Sequence, residues 1–302
     1  MAVTPNAYAG SRFAVTIGSY SAGYIKSFTQ GNFKGSLNET STSTEHWMKK
    51  NIAAWEFSDF SLEASFAMGK GLQDWMQSAM DSNAVPMDGS VVVADFNGKA
   101  IREVQFFRAY ITKISLPALS AADKANIFLT FSFKPTELKY MKASGDVAKA
   151  AVGPTTKSIT GNNFSLKLGS FNCKRVNKIE AFEWSCTVKP DPHGEAQYPE
   201  LACTTMKQPD LTFTINALDG QQFEDWAKAW FMDGKREEKD ELTGSLDLLG
   251  PNMKDIMATL TFQNVGLQEL TPPKQVRDDS LQFYTVKTYT EHTKLEMKKT
   301  DA

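Results

Sequence analysis

Apolar and polar residues alternate from Asp59 onward: Phe60, Leu62, Ala64 and Phe66 fall on one side, Ser61, Glu63 and Ser65 on the other. A two-residue period predicts a half-buried strand. The turn Met68-Gly69-Lys70-Gly71 follows, and Leu72, Trp75, Met76, Ala79 and Met80 then recur at helical spacing. They predict a short helix with one apolar stripe. The same succession returns 151 residues later. Asp210 opens a strand in which Leu211, Phe213, Ile215 and Ala217 alternate with Thr212, Thr214 and Asn216, and Gly220 marks the turn. Phe223, Trp226, Ala227, Trp230 and Phe231 repeat the stripe. Asp59, Gly69, Asp74 and Trp75 recur identically as Asp210, Gly220, Asp225 and Trp226. A constant offset that preserves Gly and Trp predicts an internal duplication.

The offset extends beyond this stretch. Phe13, Val15 and Ile17, ending at Gly18-Ser19, repeat as Phe164, Leu166 and Leu168, ending at Gly169-Ser170. Phe182, Trp184, Cys186 and Val188 alternate as a second strand, whose counterpart Gly31, Phe33, Gly35 and Leu37 is weaker because two glycines have nothing to pack. Between this strand and the opening motif each copy carries a polar insertion, 38–56 and 189–208, expected as a long loop. Loops beyond about 12–15 residues in a compact domain are usually functional or disordered, and these two are where partner contacts are expected. Strand-rich blocks follow: Val91 to Ala94, Ile101 to Ile114 and Ile127 to Phe133 in the first half, then Leu246 to Leu249, Ile256 to Val265 and Leu281 to Val286 in the second. The small polar stretch 142–163 lacks a period and predicts a linker, and 1–11 predicts an arm. The expected organisation is a first domain at 1–141, the linker at 142–163 and a second domain at 164–302. Each domain reads as antiparallel β with one packed helix, an α+β pattern that is mainly β.

Length agrees, since 302 residues suffice for two domains of about 150. A net charge of −2, from 33 basic and 35 acidic residues, supplies no field for a general polyanion binder, so neither sequence-specific nucleic-acid binding nor a membrane surface is expected. The three cysteines, Cys173, Cys186 and Cys203, are odd in number and contain no C-x-x-C pair, which predicts free thiols in a reducing compartment. Met1-Ala-Val-Thr-Pro-Asn6 lacks a basic start followed by an apolar core, and no span is long enough for a bilayer, so cytoplasmic synthesis is expected.

An apolar strand ending at Gly, a long polar insertion, an alternating strand, a turn and a Trp-bearing helix together resemble the tail tube proteins of long-tailed phages. Inner-tube proteins of contractile injection systems and the haemolysin-coregulated proteins belong to the same group. Lys70-Gly71-Leu72-Gln-Asp-Trp75 fits that family's Arg-Gly and Leu-x-x-Trp pattern well, and Gly220-Gln-Gln-Phe223-Glu-Asp-Trp226 fits it less closely. The resemblance covers 13–134 and 164–295. Two tandem copies depart from the usual single-domain tube subunit and point towards hub or tip components, where three chains supply six domains. The resemblance implies barrels or sandwiches whose edge strands pair between subunits into a ring, as a trimer of two-domain chains or a hexamer. It further implies neighbouring tube, sheath or baseplate partners, and assembly into a virion or tail-like particle. The insertions become ring-stacking candidates, through Asn38, Thr40, Glu45, His46, Lys49, Lys50, Lys189, Asp191, His193 and Glu195.

Candidate chemistry is sparse. His46, His193 and His292 are the only histidines; the first two sit in the polar insertions and His292 is followed by Thr-Lys, so surface roles are expected for them rather than metal or catalytic ones. A zinc site from Cys186, His193 and Cys203 fits no common ligand spacing. Gly18-Ser-Tyr-Ser-Ala-Gly23 lacks the lysine of a phosphate loop, Asp278-Asp279 has no partner base, and Asn38-Glu-Thr40 matches a glycosylation acceptor only by pattern. No cofactor, metal or catalytic residue is expected. Leu72, Trp75, Met76, Phe223, Trp226 and Trp230 are expected in the helix-packing core rather than in an aromatic ligand platform, with Trp55 and Trp184 open to either role. The mixed-sign run 235–241 predicts a solvated loop. A two-domain binding module that grips a carbohydrate or protein through 38–56 and 189–208 is the alternative to a structural subunit.

Overall fold

A computed structural model describes residues 12–41, 47–95, 97–143, 145, 159–191, 200–274 and 281–298. The fold is mainly β, built from curled antiparallel sheets with few helices. In the first half the chain runs β1 (Arg12–Ile17), β2 (Tyr20–Ser21), β3 (Ile25–Thr29), β4 (Phe33–Thr40), β5 (Lys49–Phe57) and β6 (Phe60–Ala64). Helix α1 (Lys70–Met80) follows, then β7 (Met87–Ala94), β8 (Ala100–Leu116), β9 (Leu119–Ser120), β10 (Leu129–Lys134) and β11 (Glu137–Lys142). The second half runs β12 (Phe164–Leu168), β13 (Val176–Ile179), β14 (Phe182–Ser185), β15 (Val188–Asp191), β16 (Glu200–Cys203) and β17 (Thr212–Asn216). After α2 (Gln221–Ala227) come β18 (Leu242–Leu249), β19 (Ile256–Thr271) and β20 (Phe283–Met297).

The strands of the first half order as β1-β7-β8-β10-β6-β3, and those of the second as β12-β18-β19-β20-β17-β13. Position by position the two orders match. Gly18 and Gly169 both take positive φ at the end of the first strand, with amides bonded to Asp88 O and Thr243 O. The two long strands β8 and β19 are each bent by a bulge whose central residue is left-handed, Arg108 (φ 47) and Asn264 (φ 53). A bulge turns a strand and lets each half of it meet a different neighbour.

The period-two reading of the opening motif holds: Phe60, Leu62 and Ala64 on β6 and Phe213 and Ile215 on β17 are buried. On α1, Leu72, Trp75, Met76, Ala79 and Met80 form the buried stripe. On α2, Phe223 and Trp226 are buried, and Trp230 beyond it is buried too. Phe231 is a correction: expected on the stripe, it is half exposed. Residues 228–232 form a π turn, with Asp233 N–H bonded to Lys228 O, and the wider turn carries Phe231 off the apolar face. Trp75 packs edge-on to Phe133 at 5.5 Å and donates its indole N–H to Val85 O at 3.1 Å. One cluster of buried apolar side chains runs through both halves.

Of the expected linker, 144 and 146–158 lie outside the described residues. Its end docks on the first half: Ile159 is buried and accepts from Ile127 N–H at 2.9 Å.

Candidate functional site

Where described, the two polar insertions are largely strand rather than loop, and 42–46 and 192–199 lie outside the described residues. Residues 49–57 form β5, which pairs with β4 from Phe33↔Phe57 to Thr40↔Lys49, and β15 pairs with β16 from Val188↔Cys203 to Asp191↔Glu200. Both are hairpins that leave the main sheets. The loop expectation fails because charged side chains sit on strands whose outer face is solvated, and polar composition alone cannot distinguish that from a loop. The hairpins correspond in register: Lys34↔Glu56 matches the bridge Ser185↔Lys207, and Leu37↔Ile52 matches Val188↔Cys203.

Asn38 and Thr40 lie on β4, Lys49 and Lys50 on β5, and Lys189 and Asp191 on β15. Lys50 Nζ meets Glu39 Oε1 at 2.6 Å across the first hairpin. Glu45, His46, His193 and Glu195 lie outside the described residues. The described candidates thus gather towards the outer parts of two hairpins. Among the described residues no group of three His, Cys, Asp or Glu side chains could hold a metal ion, and no helix is long and apolar enough to cross a membrane.

The bases of the hairpins behave differently. In the second half, β14 continues away from its hairpin and pairs with β8, Phe182↔Leu116, Glu183↔Ser115, Trp184↔Ile114 and Ser185↔Lys113. The ladder continues with Cys186 N–H to Thr112 O at 2.9 Å, and Lys113 Nζ bonds Glu183 at 2.6 Å. β9 of the first half also pairs with β13, through Ile179↔Leu119. Strands from both halves therefore form one seam. Trp184 is fully buried there and donates its indole N–H to Thr293 Oγ1 at 2.6 Å, which assigns it to packing. Cys186 Sγ–H bonds Ile111 O, and burial, with Cys203 and Asp59 adding, pushes its thiol up to about 12. Burial raises the Cys173 thiol to about 11. The cysteines are free thiols.

In the first half the same positions face solvent. Phe33 is 61% exposed where Trp184 is 0%, and Trp55 is 43% exposed where Met206 is 4%. Leu37 and Ile52, directly opposite each other, are exposed on the same hairpin. Sequence reasoning placed Phe33 on a strand but missed this apolar face. Its signal was the alternation of Trp55 and Phe57 next to a polar stretch.

No protein-family profile matches the chain, and no curated protein matches it. Among solved structures, the chain is similar to one from the anti-feeding prophage cap, the tube-terminating cap, at 12% identity and a TM-score of 0.41, covering 51% of this chain and 96% of that one. A second comes from the anti-feeding prophage baseplate, at 7% identity and a TM-score of 0.34, covering 44% and 91%. A third comes from the sheath-tube complex of an extracellular contractile injection system, at 11% identity and a TM-score of 0.36, covering 44% and 88%. At such identities and scores, the functional reading rests on the chain's own residues and strand pairing.

Proposed function

We propose that this chain is a structural subunit of a tube, hub or ring in a phage-tail-like or contractile injection assembly, and that it performs no catalysis. It is read as a tandem duplication of one β module, with the modules at 1–141 and 164–302 joined through 142–163. Three chains then supply six modules to a pseudo-six-fold ring.

The observation that carries the proposal is the seam. Two sheets of matching strand order are joined when β14 of one module adds to the β8 edge of the other. Such addition satisfies a row of backbone donors and acceptors that would otherwise be an aggregation hazard, and closing a ring of modules removes the remaining edges. The hairpins stand away from the sheets, and Asn38, Thr40, Lys49, Lys50, Lys189 and Asp191 on them supply polar contacts to a stacked ring or to sheath or baseplate proteins. Synthesis is cytoplasmic in this reading, with assembly into the particle afterwards.

Negative-stain electron microscopy of the purified chain tests it. Rings or stacked rings with six-fold appearance are expected. A uniform field of single chains at high concentration, together with a melting shift on adding a glycan or protein ligand, would instead favour the two-domain binding module.

A further inference from the structure

We infer that the seam inside the chain has a counterpart between chains, in which residues 32–35 at the base of β4 pair antiparallel with residues 268–271 of β19 in a second copy. This rests on the self-assembling reading above and names its contact.

The acceptor edge is defined by what already borders the two long strands. β8 carries β10 and then β11 along one side. Its other side carries β7 up to the Arg108 bulge and β14 beyond it. β19 carries β20 along the whole of one side, and β18 on the other side as far as Val265. Beyond the Asn264 bulge, 267–271 have no strand on that side among the described residues. This is the place that β14 fills on β8.

The donor is defined in the same way. The hairpin registers equate Phe33 with Trp184 and Lys34 with Ser185. Phe33 sits 6.0 Å from the ring of Tyr140 on β11, which pairs with β8, and Trp184 bonds Thr293 on β20, which pairs with β19, so each base rests on a strand that borders the long strand of its own half. β4 pairs with β5 alone, leaving its second edge open among the described residues. Phe33 and Trp55 on this hairpin are 61% and 43% exposed, whereas Trp184 and Met206 at the matching positions beside the seam are buried.

Transferring the seam's register puts Phe33 opposite Leu270, Asn32 opposite Thr271 and Lys34 opposite Glu269. The last pair is complementary in charge. Glu269 Oε2 meets Lys287 at 3.1 Å and its Oε1 accepts from the Thr271 hydroxyl at 3.2 Å, and a carboxylate with about four lone-pair sites has room for a second lysine. Pro272, which has no N–H to donate, falls opposite Gly31 at the end of the ladder, where Pro is tolerated. Because donor and acceptor are different surfaces, the contact is head-to-tail and either closes into a ring or extends.

The test is disulfide trapping in the full chain with Lys34→Cys and Glu269→Cys combined, both positions being exposed. Directly opposed residues lie about 4.5–5.5 Å apart between Cα atoms, within disulfide reach. Lys34→Cys with Thr271→Cys is displaced by two residues, about 7 Å along the strand, and serves as the contrast. Mild oxidation is expected to join chain to chain at least about tenfold faster for the first pair than for the second or for either single variant. Equal trapping of both pairs, no trapping, or a disulfide within one chain overturns the junction. Solution mass of the unmodified protein separates the causes: if it self-associates without trapping, only this junction is wrong, and if it stays a single chain, the assembly reading fails as well.

Discussion

Trp184 and Phe33 occupy corresponding positions with opposite exposure, so truncating each to alanine should have opposite consequences. Trp184→Ala removes a fully buried indole and its 2.6 Å hydrogen bond. The Thr293 hydroxyl keeps its own donation to Gln208 Oε1 at 2.6 Å, so no orphaned donor is added to the cost. A truncation of this size in a packed core costs about 3–5 kcal/mol. Phe33→Ala removes a ring that is 61% exposed and touches Phe57 and Tyr140 at its edges, so the folded chain should lose less than about 1 kcal/mol. In the proposed junction with a second copy the ring would be covered. An aromatic side chain buries on the order of 200 Å², so about 100 Å² is newly buried, equivalent to about 2.5 kcal/mol per junction and a weakening of about 70-fold. Urea denaturation measures the first effect, and sedimentation velocity over a concentration series measures the second. The reasoning is refuted if Trp184→Ala costs under about 1 kcal/mol, or if Phe33→Ala lowers fold stability and leaves association unchanged.

Three further outcomes follow from the packing and the titrating groups. Gly89→Ala places a Cβ 2.3 Å from both the Phe106 ring and Thr16 O, and should cost about 1–3 kcal/mol by urea midpoint, while Gly250→Ala, with nothing nearer than 3.6 Å, should stay within about 0.5 kcal/mol. Trp75→Phe keeps the stripe but loses the indole bond to Val85 O and part of a buried side chain, at about 1–3 kcal/mol, and thermal melting should fall accordingly. The folded chain holds the protons of Cys173 and Cys186, to about 11 and about 12, more tightly than the ordinary 9.0, and that of Tyr289, to about 12, more tightly than 10.0. The unfolded chain therefore releases these protons first, so their contribution is complete below pH 9 and is lost as pH rises towards 12. Urea midpoints measured from pH 8 to pH 11 should fall, less steeply in Cys173→Ala, and a flat profile would contradict the assignment.

What was legible in the sequence was what is local and periodic. Phe60 to Ala64, Phe213 and Ile215, and the stripe from Leu72 to Met80 followed from spacing alone, because each pattern reports one buried face. Phe231 broke the pattern through a π turn, which a fixed helical period does not anticipate. The hairpin strands β5 and β16 were hidden for a different reason. Lys49, Lys50 and Glu200 on them are exposed, so composition pointed to a loop. The seam had no signature in the sequence at all, since the pairing of Trp184 with Ile114 is a long-range register, fixed by the bulge at Arg108 and by what already borders β8. Thus the polar candidates at 38–50 and 189–191 were found by composition, whereas Phe33, Trp55 and the open edge at 267–271 needed the strand order.

The most direct measurement of the account is the native mass of the purified chain, taken by native mass spectrometry across a range of concentrations. Modules that join edge to edge within a chain, with a matching donor and acceptor left at its two ends, predict a closed species of three chains, about 100 kDa from 33.5 kDa each. A single species of 33.5 kDa at every concentration would contradict it.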